Sequence, residues 1–269
     1  MTEFETITVH VDGPLASLQL ARPESLNALS SLTLAEIEQA ALELDDLGDL
    51  KVVVVSGQGR AFCAGADVHG FVGQATRRER DQGWRTARAL EQLGAVTVAR
   101  IQGWCVGGGV VLASACDLRV AADNARFLIP EVDLGIPLAW GGIPRLVREI
   151  GPAMTKELVM TCRPFDAAEA QRIGFVNRVV AEEDLDSAVE SLVASLVDKA
   201  TFALLSTKAH TNAVAEAMVH TGRSWGDAEL LWAGFMDPEG AEARTRYIER
   251  LGGGKDTEAK DTEAKDTKA

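Results

Sequence analysis

Two short runs of small residues and one glutamate are the parts of this 269-residue chain whose types and spacing can do chemistry. Gly107, Gly108 and Gly109 stand between a strand-like run (Val96, Val98, Ile101) and a helical run of small and apolar residues (Val111, Leu112, Ala115). Bare backbone can approach a ligand closely there, and a helix start points free N–H groups outward. Such a turn suits an oxyanion or a phosphate. The phosphate readings fail on residues, because no Gly-Lys-Ser/Thr closes the glycines and the spacing is not Gly-x-Gly-x-x-Gly. An oxyanion site is the sharper reading; close packing of a helix on a sheet is the plain one, and this stretch alone does not separate them. A second run, Ala61-Phe62-Cys63-Ala64-Gly65-Ala66-Asp67, follows the strongest strand signal in the chain, Lys51-Val52-Val53-Val54-Val55-Ser56-Gly57. Two N–H groups from two such turns can hold one oxygen. Glu131 follows Pro130 and is flanked by Ile129 and Val132, a setting that raises a carboxyl pKa toward neutrality and suits a general base. Its plainer reading is a surface carboxylate at a strand end.

In order and spacing, the run at 61–67, Gly-Trp-Cys-Val-Gly-Gly-Gly at 103–109, Cys-Asp-Leu-Arg at 116–119 and Pro-Glu-Val-Asp-Leu-Gly at 130–135 resemble the crotonase (enoyl-CoA hydratase/isomerase) superfamily, over about residues 5–250. The resemblance implies an α/β fold, a crotonase-like ββα spiral core with a C-terminal helical layer. It implies a core over 1–195 and a helical oligomerisation region over 196–252, while composition marks 253–269 as a low-complexity charged tail. It also implies an acyl-CoA or enoyl-CoA substrate, no separate cofactor beyond the coenzyme A of that substrate, and a homotrimer or dimer of trimers. The N–H groups of Ala66 and Gly108 become the two donors to a thioester oxygen, with Arg22, Ala64, Asp67, Val68 and Val111 also along the bound substrate. Arg22 opens an Arg-Pro-x-x-x-Asn-Ala-Leu segment that lies beside the coenzyme in the family.

Family hydratases use two glutamates to clamp the water they add. Glu131 matches one of them, but Val111 occupies the place of the other and can neither orient water nor move a proton. A double-bond shift from the 3,4 to the 2,3 position needs only one carboxylate, which takes a proton from C2 and returns one at C4. The resemblance therefore favours an isomerase, with an atypical hydratase or a non-catalytic acyl-CoA binder as alternatives. Dienoyl-CoA isomerases and aryl-CoA dehalogenases place an aspartate where this chain has Ala139. Asp133 stands near Glu131 in sequence, as a second carboxylate or as a structural one.

Composition frames these readings. The 46% hydrophobic content supports a sizeable core. A net charge of −13 and a pI near 4.8 argue against nucleic acid and anionic membranes as partners. Arg77, Arg78 and Arg80 form the one basic cluster, read as a solvated helix face or as a patch for an anionic ligand. Cys63, Cys105, Cys116 and Cys162 lack Cys-x-x-Cys spacing and sit among small or apolar residues, which predicts reduced, buried thiols in a cytoplasmic protein. The four histidines are scattered, so no metal site is expected. The acidic N-terminus and the lack of any long apolar stretch predict neither export by a signal peptide nor a membrane span.

The elements that must position the site follow from pattern. Alternating apolar residues on either side of Asp12-Gly13-Pro14 predict a hairpin over residues 4–21, and Leu34, Ile37, Ala41 and Leu44 share one face of a helix near 31–47. Strands are expected at 117–120, 126–129 and 175–180, with Asp166 to Glu169 as a capping box and Gly174 as the close of that short helix. A breaker-rich loop from Gly135 to Pro144 precedes a helix through Arg145, Leu146 and Ile150, and the chain beyond Glu182 reads as helical to about Leu251. The arginine-rich span from Gly70 to Arg88, with Phe71 and Trp84, reads as a mobile lid or as a loosely packed surface helix. The tail repeats a five-residue charged unit that can bury no core.

Overall fold

The computed structural model describes residues 2–67, 76–224 and 226–250. Val68, the first part of the expected lid (70–75) and the charged tail (253–269) lie outside the described residues.

The hairpin forms as expected: β1 (Ile7–Asp12) pairs antiparallel with β2 (Leu15–Leu20) around Gly13, whose φ of +54° suits a residue without Cβ. From β2 onward every pairing in the main sheet is parallel, through β3 (Val52–Gly57), β4 (Val96–Ile101), β6 (Leu118–Ala122) and β9 (Arg178–Val180), in the order β1-β2-β3-β4-β6-β9. Parallel neighbours require crossovers. Helices α1 (Ser31–Asp45), α3 (Gln82–Gln92) and α4 (Gly108–Ala115) supply them for the earlier strands. Ser30 caps α1 by accepting the Thr33 N–H, and Leu34, Ile37, Ala41 and Leu44 are all buried, the face read from the sequence.

The valine run of β3 explains why the sheet is covered on both sides. Strand residues alternate in direction. Val53 and Val55 enter the main core with Ile37, Leu90 and Ile101, while Val52 joins Val98 and Val120 in a second core closed by Leu185, Val189, Leu192 and Val193 of α7 (Leu185–Val197). The next helix, α8 (Thr201–Met218), has no fully buried residue, but Lys208 ties it to the sheet layer by donating to the Ala95 carbonyl at 2.7 Å and pairing with Asp117 at 2.7 Å.

A second, smaller sheet sets the site. It orders β5 (Trp104–Val106), β7 (Arg126–Leu128) and β8 (Phe165–Asp166). On its other edge β5 accepts and donates hydrogen bonds with the segment after β3: Cys63 N–H donates to the Trp104 carbonyl and Val106 N–H to the Cys63 carbonyl. Both small-residue runs thus leave the same layer side by side.

Three local expectations are corrected. The strand read at 175–180 starts only at Arg178, because the Phe175 and Val176 N–H groups turn back to the Ala170 carbonyl and Phe175 packs with Phe127 and Phe165. Asp166 does cap α6 (Ala167–Arg172) through the Glu169 N–H, but no reciprocal bond forms, since Arg163 draws the Glu169 carboxylate away at 2.8 Å. Within the lid span, α2 (Arg77–Arg80) has the capping box of Thr76 and Glu79, and α3 is firmly packed from Gly83 onward, burying Thr86, Ala87 and Leu90. That part of the span is not a loose surface helix.

Helix α5 (Gly142–Thr161) follows the breaker-rich loop and kinks at Gly151, whose φ of +74° precedes Pro152. The chain then closes over the site with α9 (Asp227–Met236) and a further helix, α10 (238–250). Among the described residues no helix is long and apolar enough to cross a membrane, and no cluster of His, Cys, Asp and Glu could hold a metal ion.

Candidate active site

Each of the three glycines is required by a different neighbour. A Cβ at Gly107, where φ is +48°, would stand 2.6 Å from Glu131 Oε1. One at Gly108 would overlap the indole of Trp140, and one at Gly109 would stand 2.8 Å from the Cys63 Cβ. The plain reading, close packing of a helix start, is therefore true of Gly109 and of Gly108, which also lines a cavity, whereas Gly107 faces a carboxylate.

The backbone N–H groups at this point are sorted by the sheet. Gly107 N–H donates to the Leu128 carbonyl and Val111 N–H to the Gly107 carbonyl, while Gly108 N–H, at the first position of α4, has no acceptor among the described residues. In the facing turn, Leu29 N–H donates to the Gly65 carbonyl and Asp67 N–H to the Leu29 carbonyl. The Ala66 N–H between them is likewise without an acceptor among the described residues. Gly65, at φ +92°, brings the turns together: a Cβ there would lie 2.9 Å from the Val106 carbonyl oxygen and 3.7 Å from the Gly108 nitrogen.

Ala66 and Gly108 line one cavity of about 50 Å³ with Val111, Glu131, Trp140 and residues of the 136–139 loop, and Leu231 and Phe235 of α9 complete it. Sequence reading brought Ala66, Gly108, Val111 and Glu131 to this place. It missed Trp140, Leu231 and Phe235 as site residues. The spacing of Leu231 and Phe235 on one face of a helix was available as a signal, but nothing in a single sequence tells which surface that face covers.

Glu131 sits in the turn after β7, and its Oε2 is buried without a hydrogen-bond partner among the described residues. Burial pushes its pKa up to about 7, against a smaller opposing pull from its own backbone N–H. The raised pKa agrees with the sequence reading, but one of its assumed causes does not: Ile129 is buried, whereas Val132 is 44% exposed and is no part of the cavity wall, which is built largely by residues remote in sequence. Val111 is 1% exposed and offers no polar atom to the carboxylate. Asp133 points elsewhere, within 3.8 Å of Arg250, with its N–H on the Cys162 sulfur.

Of the other residues expected along a substrate, Arg22 and Asp67 pair with each other at 3.3 Å, and Arg22 also donates to the Ala28 carbonyl at 2.6 Å. The Ala64 N–H is taken by the Leu26 carbonyl. None of these three lines the cavity. Cys63, Cys105, Cys116 and Cys162 are free and buried, and burial lifts the Cys63 and Cys116 thiols to about 12, which leaves them unreactive. Two unpaired N–H groups and a carboxylate that titrates near neutrality, in an apolar cavity, form a site able to steady a developing negative oxygen and to move a proton.

Solved structures share the fold: an enoyl-CoA hydratase from Mycobacterium avium subsp. paratuberculosis superposes with a TM-score of 0.85 at 24% identity, over 91% of this chain and 100% of that one. The sequence profile of the enoyl-CoA hydratase/isomerase family matches residues 11–253, and the chain belongs to that family, the crotonase superfamily. It is 33% identical to the crotonyl-CoA hydratase of Syntrophomonas wolfei subsp. wolfei, over 92% of this chain and 96% of that protein. It is also 33% identical to the peroxisomal Delta(3,5)-Delta(2,4)-dienoyl-CoA isomerase of Arabidopsis thaliana, over 85% of this chain and 89% of that protein. The family's enzymes therefore include this chain, and the choice among their reactions rests on the site.

Proposed function

We propose that this enzyme moves the double bond of a 3-enoyl-CoA to the 2,3 position, using Glu131 as its single acid/base group. The observation that carries the reading is Val111, an apolar side chain in the cavity wall beside Glu131, the one carboxylate among the described residues that line the cavity. Ala66 and Gly108 donate their N–H groups to the thioester oxygen, so the dienolate formed on loss of a C2 proton is stabilised where its charge develops. Glu131 then delivers a proton to C4 and is ready for the next turnover. Coenzyme A enters with the substrate, and no further cofactor is needed for this proton transfer. Ala139 argues against a second carboxylate of the dienoyl-CoA isomerase kind. Free, buried thiols suit a reducing compartment such as the cytoplasm.

Hydration is the second reading, favoured by the crotonyl-CoA hydratase among the relatives. The Val111→Glu variant separates the two. It restores a carboxylate in the first turn of α4, where the helix dipole favours the charged form, and hydration of a 2-enoyl-CoA is expected to appear or rise by at least about tenfold. Hydration already fast in the wild type and unchanged in a folded Val111→Glu would contradict the single-carboxylate assignment.

We also propose a homotrimer or a dimer of trimers. Helix α8 has no fully buried residue in the isolated chain, and Phe202 and Met218 on it are 85% and 77% exposed, an unusual cost unless another copy covers them. Light scattering at micromolar concentration is expected to give three or six chain masses; a monomer contradicts the assembly.

A further inference from the structure

Trp140 occupies a position that a large side chain does not adopt without help. Its φ is +59°, in the left-handed region where bulky residues are outliers, and it is nevertheless 7% exposed. The surrounding chain is built to keep it there. The fully buried Arg145 donates to the Trp140 carbonyl at 2.9 Å and to the Gly141 carbonyl at 3.2 Å, and Asp227 accepts the Gly141 N–H at 2.7 Å. Two helices are cleared for its indole, since a Cβ at Gly83 of α3 or at Gly108 of α4 would overlap the ring. A side chain that only filled core space would not need a strained backbone, a buried guanidinium and two glycines.

What the ring divides explains the arrangement. Ala139 and Trp140 line the catalytic cavity of about 50 Å³ and also a second cavity of about 340 Å³, whose other walls include Trp84, Arg80, Asp227 and Ala228. They are the residues the two cavities share. Resting on the acyl-CoA reading given above, we propose that Trp140 is the specificity-determining end wall of the acyl cavity, restricting this enzyme to short acyl groups by shutting off the larger space beyond. In a close-packed interior a rigid wall rejects each added methylene by steric overlap, and removing the wall converts that penalty into accessible volume.

The test uses saturated acyl-CoAs with four, eight and twelve carbons, whose binding to wild type, Trp140→Gly and Trp140→Phe is measured by titration calorimetry, with thermal melting to show that each variant is folded. Glycine is the apt replacement because it adopts the positive φ without strain. Wild type is expected to bind the four-carbon ester best. Trp140→Gly is expected to raise the twelve-to-four affinity ratio by at least about tenfold, a conservative figure for several methylenes newly admitted. Trp140→Phe, which keeps an aromatic wall, is expected to move the ratio less. If the ratio is unchanged within about twofold in Trp140→Gly, or wild type already binds the twelve-carbon ester as well as the four-carbon one, the role of Trp140 is overturned while the acyl-CoA reading stands. If wild type binds none of the esters, the acyl-CoA reading falls and this inference falls with it. Should Trp140→Gly melt below the assay temperature, Trp140→Ala carries the same expectation and the same overturning result.

Discussion

Glu131→Gln is expected to lower isomerase turnover by roughly 10²- to 10⁴-fold, the contribution of a positioned acid/base group, while leaving acyl-CoA affinity within a few-fold of wild type. Glutamine keeps the reach and the hydrogen-bonding shape but cannot exchange a proton at catalytic pH. The same substitution has an opposite effect on stability. Because burial raises Glu131 from an ordinary 4.5 to about 7, the folded protein holds a proton between those values that the unfolded chain has released. Stability therefore declines as pH rises through that window, and above it the wild type carries a buried charge at a cost of up to about 3 kcal/mol. Glu131→Gln removes that decline. Its melting temperature is expected to exceed the wild-type value at pH 8 and to match it near pH 4. In the wild type, kcat/KM is expected to fall as the pH drops below about 7 and the base takes up its proton. A Glu131→Gln enzyme that turns over normally, or a pH profile flat through neutrality, would remove Glu131 from the mechanism.

Gly108→Val is expected to lose at least about 10²- to 10³-fold in turnover, the scale of one oxyanion donor, and to lose affinity for the thioester as well. The valine would drive into the Trp140 indole, whose Cη2 and Cε3 lie 3.0 Å and 3.2 Å from the position of a Cβ, and would crowd the free N–H. Overpacking of this kind typically costs about 1–3 kcal/mol, so circular dichroism and a melting curve are needed beside the kinetics. The contrast between the two variants is informative. Removing the base spares binding, whereas closing the donor site damages binding and chemistry together. A folded Gly108→Val enzyme with turnover and affinity near wild type would show that the carbonyl does not sit against α4.

What the sequence made legible is what depends on neighbours along the chain. The hairpin around Gly13, the buried face of α1 and the valine strand follow from local pattern, and the glycine runs from the need for bare backbone in two adjacent turns. Glu131 was legible through its family motif, yet the source of its raised pKa was not, because Val132 beside it faces solvent and the shielding walls arrive from α4, the 136–140 loop and α9. The same reason hid Trp140. Its socket needs Gly83, which comes from α3, and its backbone is held by Arg145 and by Asp227 across the molecule. The capping box at Asp166 failed for a local competitor: the Arg163 guanidinium offers the Glu169 carboxylate a charged partner in place of a backbone N–H.

One buried carboxylate beside an apolar Val111 is expected to suffice for a double-bond shift and not for hydration. The most direct test gives the wild-type enzyme a short 3-enoyl-CoA and, separately, the 2-enoyl-CoA of the same length, and follows both by mass spectrometry and by the absorbance of the conjugated thioester. The 3-enoyl ester is expected to become conjugated with no change in mass, at a rate well above hydration of the 2-enoyl ester. Rapid addition of water to the 2-enoyl ester, with the 3-enoyl ester left unchanged, would contradict this expectation.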